Sequence, residues 1–338
     1  GDLNTFLGYN AGATTATASD NTGVGYNAGA SITTGIQNVL IGGVAGDALT
    51  TANNNTAVGY AALTADTLGG ANVAIGTNAL TTQNFTSATN AYNVGIGYGA
   101  GASVTTGVQN TLIGGLAGDA ITTADNNTAV GYDSLSANTT GELNVALGRS
   151  SLSKNTTAGG NVGVGGYALN NNTTGAANIG IGQQALNTNT TASSNTAVGF
   201  QSLYANTASN NTAVGRSTLN ANTTGTANTA VGTSALTANT TANSNTAIGK
   251  DALLANTTGT RNVGVGASAL KTITTASFNT GVGNDVLGAN TSGASNTGIG
   301  DQALGANTTG AENVAVGSLS LDANTTAGGN SALGYASL

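Results

Sequence analysis

Hydrophobic and polar residues along this chain follow one short phrase, Asn55-Thr56-Ala57-Val58-Gly59, which returns every 17 residues from Asn4 to Asn330. Twenty asparagines start such a phrase (Asn4, Asn21, Asn38 and so on), and only two intervals differ: 21 residues from Asn72 to Asn93, and 16 from Asn195 to Asn211. With the asparagine counted as position 0, position 3 is Val, Ile or Leu in all twenty copies and position 4 is always Gly. Position 1 is Thr, Val or Ile except at Ser331, and position 2 is Ala or Gly except at Phe6, Leu40 and Leu112. Aliphatic side chains two residues apart have the period of a strand, so positions 1 and 3 are expected on one face, turned inward. Glycine at position 4 marks a tight turn or a close backbone approach. Ala-Asn-Thr-Thr-Gly, as in Ala221 to Gly225, then reads as the turn leading back to the next asparagine.

A period of 17 is too short for a helix pair and long enough for one coil of a stacked β structure. The expected fold is therefore all-β, a parallel β-solenoid (β-roll) of about twenty rungs forming a single continuous domain over residues 1–338. The rung 72–92 carries an insertion, and no separate cap or anchor domain is expected. The repeated asparagines are expected to stack as an amide ladder of the kind found in stacked β structures, with Asn55, Gly59, Asn127, Gly131, Asn211 and Gly215 as representative structural positions. Position 8 supports a packed interior. It is Leu in fifteen rungs and Gly in five, and in four of those five position 11 becomes aliphatic: Ile32, Leu49, Val104 and Ile121. Close-packed interiors require such exchange. Residues 26–63 and 98–135 also match at a shift of 72, a larger duplication.

Composition narrows the function classes. Only 6% of residues are charged, 53 are Gly, and Cys and His are absent. That removes disulfides, thiolate nucleophiles, structural zinc sites and a Ser-His-Asp arrangement. No apolar run approaches the ~18 residues of a membrane span, so no membrane insertion is expected. The net charge is −7, and residues 1–148 hold eight acids and no base. Six scattered cations in the remainder make a poor phosphate-binding surface, so no nucleic-acid partner is expected. The charges avoid positions 0 to 4, 7, 8 and 12 to 14 after Asp2, which marks positions 5 and 6 as outward. Position 2 also carries no charge and stays small, which is read as a second backbone lying against it, most simply in a homotrimer.

Candidate chemistry is sparse. The acids are spread singly, without the paired carboxylates of acid–base catalysis, and the Gly-x-Gly strings never open a helix, so neither catalysis nor a cofactor is expected. No calcium-binding loop pattern occurs, and no metal site is assigned. Asn-Thr-Thr, from Asn138 to Asn324, has the form of an N-glycosylation sequon, read here as turn chemistry. Threonine rows make ice binding a lesser alternative only, because the Thr pairs fall in that turn. Tyr9, Tyr26, Tyr60, Tyr98 and Tyr132 favour the first half and are candidate surface contacts for a cell-surface glycan.

Asn72 to Gly76 (NVAIG), Asn313 to Gly317 (NVAVG) and Asn55 to Leu63 (NTAVGYAAL) resemble the head repeats of trimeric autotransporter adhesins. The 17-residue form from Asn211 to Ala227 (NTAVGRSTLNANTTGTA) is similar to repeats of phage tail fibres and bacterial surface fibres. The resemblance covers essentially the whole chain and implies trimerisation and an extracellular place, at a cell surface or on a virion. The shafts of such fibres often precede an endosialidase-type chaperone domain; no such segment is expected within residues 1–338. On this reading the chain is a non-enzymatic shaft and rigid spacer, about 95 Å long at the strand spacing. The alternative is a filament subunit stacking head to tail, and a glycan- or ice-binding solenoid is a lesser one.

Overall fold

In the computed structural model residues 3–338 are described; Gly1 and Asp2 lie outside the described residues. The chain divides into two compact units, Gly1–Thr174 and Gly175–Leu338. Each is a parallel β-solenoid with ten three-residue strands among its described residues, one after each anchor asparagine, and no helix. Every strand pairs with its own counterpart one coil away, position on position. In the first unit Thr56, Ala57 and Val58 lie opposite Val73, Ala74 and Ile75. In the second, Thr229, Ala230 and Val231 lie opposite Thr246, Ala247 and Ile248.

The strands are short because the chain bends at both ends of each. Position 16, just before the asparagine, has left-handed backbone, as at Asn54 with φ 61°. Position 4 follows with a φ of its own kind, +141° at Gly59. Two more left-handed residues complete the corner, Ala61 at 55° and Leu63 at 53°. The invariance of position 4 has a double cause. An L side chain rarely adopts such a φ, and a Cβ on Gly59 would lie 2.6 Å from the carbonyl carbon and oxygen of Gly76. Successive coils touch here backbone to backbone.

The inward and outward faces are the reverse of the sequence-based expectation. Position 2 is interior: Ala57, Ala74, Ala129 and Ala230 are fully buried. Positions 1 and 3 stand on the outer face, partly exposed, with Ile41 at 39% and Ile248 at 41%. Position 2 is thus small because it faces the interior of its own coil, and it offers no evidence of a second chain. The reason is the narrowness of a 17-residue coil. Leu at position 8 and a small residue at position 7 cross the interior, as Ala62 and Leu63 do, both fully buried. Little more than a methyl group fits opposite them.

That account also explains the three large residues at position 2. Leu40 and Leu112 are fully buried, and each lies between glycines at position 8. A Cβ on Gly29 would meet Leu40 Cδ1 at 2.8 Å and Ile32 Cδ1 at 2.9 Å; one on Gly46 would meet Leu40 Cδ2 and Leu49 Cδ1, both at 2.8 Å. Phe6 fills the same space beside Gly12. The missing leucine is therefore replaced from two directions, position 11 as expected and position 2 in addition. Because position 8 is left-handed, glycine fits its backbone without strain, and leucine is held there by burial.

The insertion leaves the stack intact. Val73, Ala74 and Ile75 pair in register with Val94, Gly95 and Ile96 across the 21-residue rung. Within this longer rung Thr89–Asn90 form a separate short parallel pairing with Gly69–Gly70 of the preceding coil.

Candidate functional site

The interior is lined by amides. The backbone N–H of Asn72 donates to Asn55 Oδ1 at 3.0 Å, and its Nδ2 donates to the same oxygen at 3.1 Å. Asn55 Nδ2 in turn donates to Gly69 O at 2.9 Å. The same set holds Asn144 to Asn127 in the first unit and Asn228 to Asn211 in the second. All of these side chains are buried. Each amide thus ties the backbone of the next coil to its own, and the geometry is that of a scaffold.

A second amide column stands at position 11, where Asn138, Asn155, Asn222, Asn239 and Asn256 are fully buried. Asn155 Nδ2 donates to Asn138 Oδ1 at 3.0 Å and to Ala158 O at 2.8 Å. Asn239 Nδ2 donates to Asn222 Oδ1 at 2.7 Å. These are the sequon asparagines, so in the folded coil their amides point inward and are engaged. The sequence held the signal: position 11 exchanges Asn for Ile32, Leu49, Val104, Ile121 and Ile273, as an outward turn residue would have no reason to do. Where Ile273 interrupts the column, the buried Oδ1 of Asn256 is left without a hydrogen-bond partner.

One charge departs from the expected exterior placement. Asp66, at position 11, is fully buried. Gly69 N–H donates to its Oδ1 at 2.9 Å and Gln83 Nε2 to its Oδ2 at 2.6 Å. Gln83 Oε1 accepts from Asn93 Nδ2 at 2.9 Å, so the carboxylate is joined to the amide column. The remaining charges among the described residues lie at or near the surface. Lys271 pairs with Asp285 at 2.7 Å, and Arg149, Arg216 and Arg261 stand over the rings of Tyr167, Phe200 and Phe278 at 5.4–5.9 Å. Burial, followed by repulsion from Asp133, holds Asp119 above the ordinary carboxylate value, while a hydrogen bond from its own backbone N–H pulls the other way.

Among the described residues no pocket is present and no three potential metal ligands gather. No helix is long and apolar enough to cross a membrane. The candidate sites are therefore surfaces. The first is the outer face of the strands, two columns of Thr, Val and Ile. The second is position 5, where Tyr9, Tyr26, Tyr60, Tyr98 and Tyr132 are 57–76% exposed. Tyr9 and Tyr26 lie on adjacent coils and stack at 5.6 Å between ring centres. The turn threonines at position 12 are engaged within the ladder: Thr139 Oγ1 donates to Thr156 O at 3.1 Å. No known protein family matches the sequence, and no curated protein is significantly similar to it.

Proposed function

We propose that this chain is the structural shaft of an extracellular fibre, whose copies associate in threes through the outer faces of their strands. The observation that carries the reading is the persistence of aliphatic residues at position 3, which the structure turns outward. Position 5, also outward, varies freely through Tyr60, Gly43, Arg149, Lys250 and Asp301, whereas position 3 is aliphatic in all twenty coils. Solvent gives no reason for that restriction. A neighbouring chain with the same coil height does, because its own columns of Val and Ile would lie alongside at the same spacing. Within one unit, ten strands spaced ~4.8 Å apart make an uncharged apolar strip roughly 45 Å long. Strips of this kind mark association surfaces, and closed symmetry buries the same strip on every copy.

Within each unit the anchor-asparagine column and the backbone ladder supply stiffness, reinforced by the position 11 amides where they occur, so the work of such a shaft is mechanical: it holds an adhesive or receptor-binding part away from its base. The fibre resemblance supports placing it at a cell surface or on a virion. Sedimentation and native mass spectrometry test the reading. The wild-type chain is expected at three times the monomer mass. Ile248→Lys, Val282→Lys and Ile299→Lys together should give a folded monomer with an unchanged far-ultraviolet spectrum. A wild-type monomer at micromolar concentration would refute self-association, and indefinitely long filaments in electron micrographs would favour end-to-end assembly.

A further inference from the structure

We propose that the first unit carries a binding track for an extended, uncharged β-1,4-linked polysaccharide, formed by Tyr26, Tyr60, Tyr98 and Tyr132. These four rings occupy position 5 on every second coil, and each is 57–64% exposed. Gly43, Thr77 and Gly115 take the same position on the coils between them. The backbone keeps the column in line. Val44 N–H donates to Tyr26 O at 2.8 Å, Ala61 N–H to Gly43 O at 3.0 Å and Asn78 N–H to Tyr60 O at 3.0 Å. Gly99 N–H then donates to Thr77 O, Leu116 N–H to Tyr98 O and Asp133 N–H to Gly115 O. Alignment therefore continues through the 21-residue rung, which lies between Tyr60 and Tyr98.

Two coils at the parallel-strand spacing advance about 9.5 Å. That is close to the advance of two sugars in an extended β-1,4-linked chain, which presents the same ring face to one side at that interval. Tyrosine suits such a ligand, since it offers an apolar face and a hydroxyl at low conformational cost. The troughs between rings carry no side chain at Gly43 and Gly115, and two of the rings lean over them: a Cβ on Gly43 would lie 3.2 Å from Tyr60 Cδ2, and one on Gly115 3.5 Å from Tyr132 Cδ2. Charge selects among glycans. Residues 1–148 contain acids and no base, and Asp133 directly follows the last ring of the row, so an anionic polymer is disfavoured. Uneven or coiling α-linked chains lack the constant pitch. The track does not depend on how many copies associate.

The test is retention of the full chain on insoluble cellulose and chitin, with dextran-coated beads and immobilised polysialic acid as the α-linked and anionic comparisons. Retention is expected on cellulose or chitin and not on the other two. Tyr60→Ala, Tyr98→Ala and Tyr132→Ala combined should weaken it by about tenfold or more, as loss of aromatic anchors does. Tyr335→Ala, which removes an isolated exposed ring of the second unit, should leave it unchanged. A second variant, Gly43→Lys with Gly115→Lys, obstructs the troughs with all rings present and should also weaken retention. Circular dichroism checks that each variant is folded. Absence of retention on both β-linked polymers, equal retention on dextran or polysialic acid, or an unchanged triple variant would each overturn the proposal.

Discussion

Replacing Gly59 by alanine tests the packing principle of the coil most directly. Two penalties add. The backbone φ of +141° lies in a region that L residues rarely enter, at a cost of about 2 kcal/mol. The new Cβ would also stand 2.6 Å from the carbonyl carbon and oxygen of Gly76, which are backbone atoms. Relieving that overlap must separate two coils locally, a further ~1–3 kcal/mol by the usual cost of overpacking. Gly59→Ala should therefore destabilise by about 3–5 kcal/mol. Two controls divide the sum. Gly334 has φ +129° with no atom within 4 Å of an added Cβ, so Gly334→Ala carries the backbone penalty alone. Gly166 has neither feature, and Gly166→Ala should be near neutral. Because coils touch only their neighbours, the effect should be local. Amide hydrogen exchange at Gly59 and Gly76, whose N–H groups donate to Ile41 O and Val58 O at 2.8 Å, is the sensitive assay. Equal protection in Gly59→Ala and Gly166→Ala would refute the close-approach argument.

Two further outcomes are expected. Asn127→Ala removes the acceptor that serves both the backbone N–H and the Nδ2 of Asn144. Leaving buried donors unpaired should cost about 2–4 kcal/mol, read as a lower denaturation midpoint, whereas alanine at the exposed Asn10 should change little. For Asp119, a folded pKa above the unfolded one means the ionised form is disfavoured by folding. Its penalty is absent below the unfolded pKa, grows as pH rises through the folded value and is complete above it. Asp119→Asn should thus raise the melting temperature at neutral pH, and the difference should vanish in acid; melts across a pH series check both the sign and the fading.

Much of the fold was legible because a repeat prints its constraints many times over. The 17-residue return located all twenty three-residue strands but not the short pairing of Gly69–Gly70 with Thr89–Asn90, and glycine without exception at position 4 announced a backbone contact. What misled was the identity of the aliphatic face. Val58 and Ile75 were expected inside because they are hydrophobic, yet three-residue strands bounded by left-handed corners leave room inside only for Ala57 and Ala74 against Leu63 and Leu80. β-branched residues suit the exposed face of a strand as well as a buried one, so their presence alone does not assign a side. Asn138 and its equivalents were misplaced for a related reason. Asn-Thr-Thr-Gly is ordinary turn composition, and only the exchange of that asparagine for isoleucine showed that the turn keeps one side chain within the coil. Asp66 escaped notice because its partner Gln83 sits in the longer of the two rungs whose length is irregular.

The rung between Asn72 and Asn93, longer by four residues, and the shorter one between Asn195 and Asn211 carry a consequence for how such a chain changes over generations. Thr196, Ala197 and Val198 still meet Thr212, Ala213 and Val214 in order across the shorter rung, so a gain or loss of residues at the corner is absorbed there. Each coil offers its successor the same donors and acceptors that it received from its predecessor. Whole coils can therefore be copied or dropped by slippage during replication without any new contact having to be invented, and the matching segments 26–63 and 98–135 have the form such an event leaves behind.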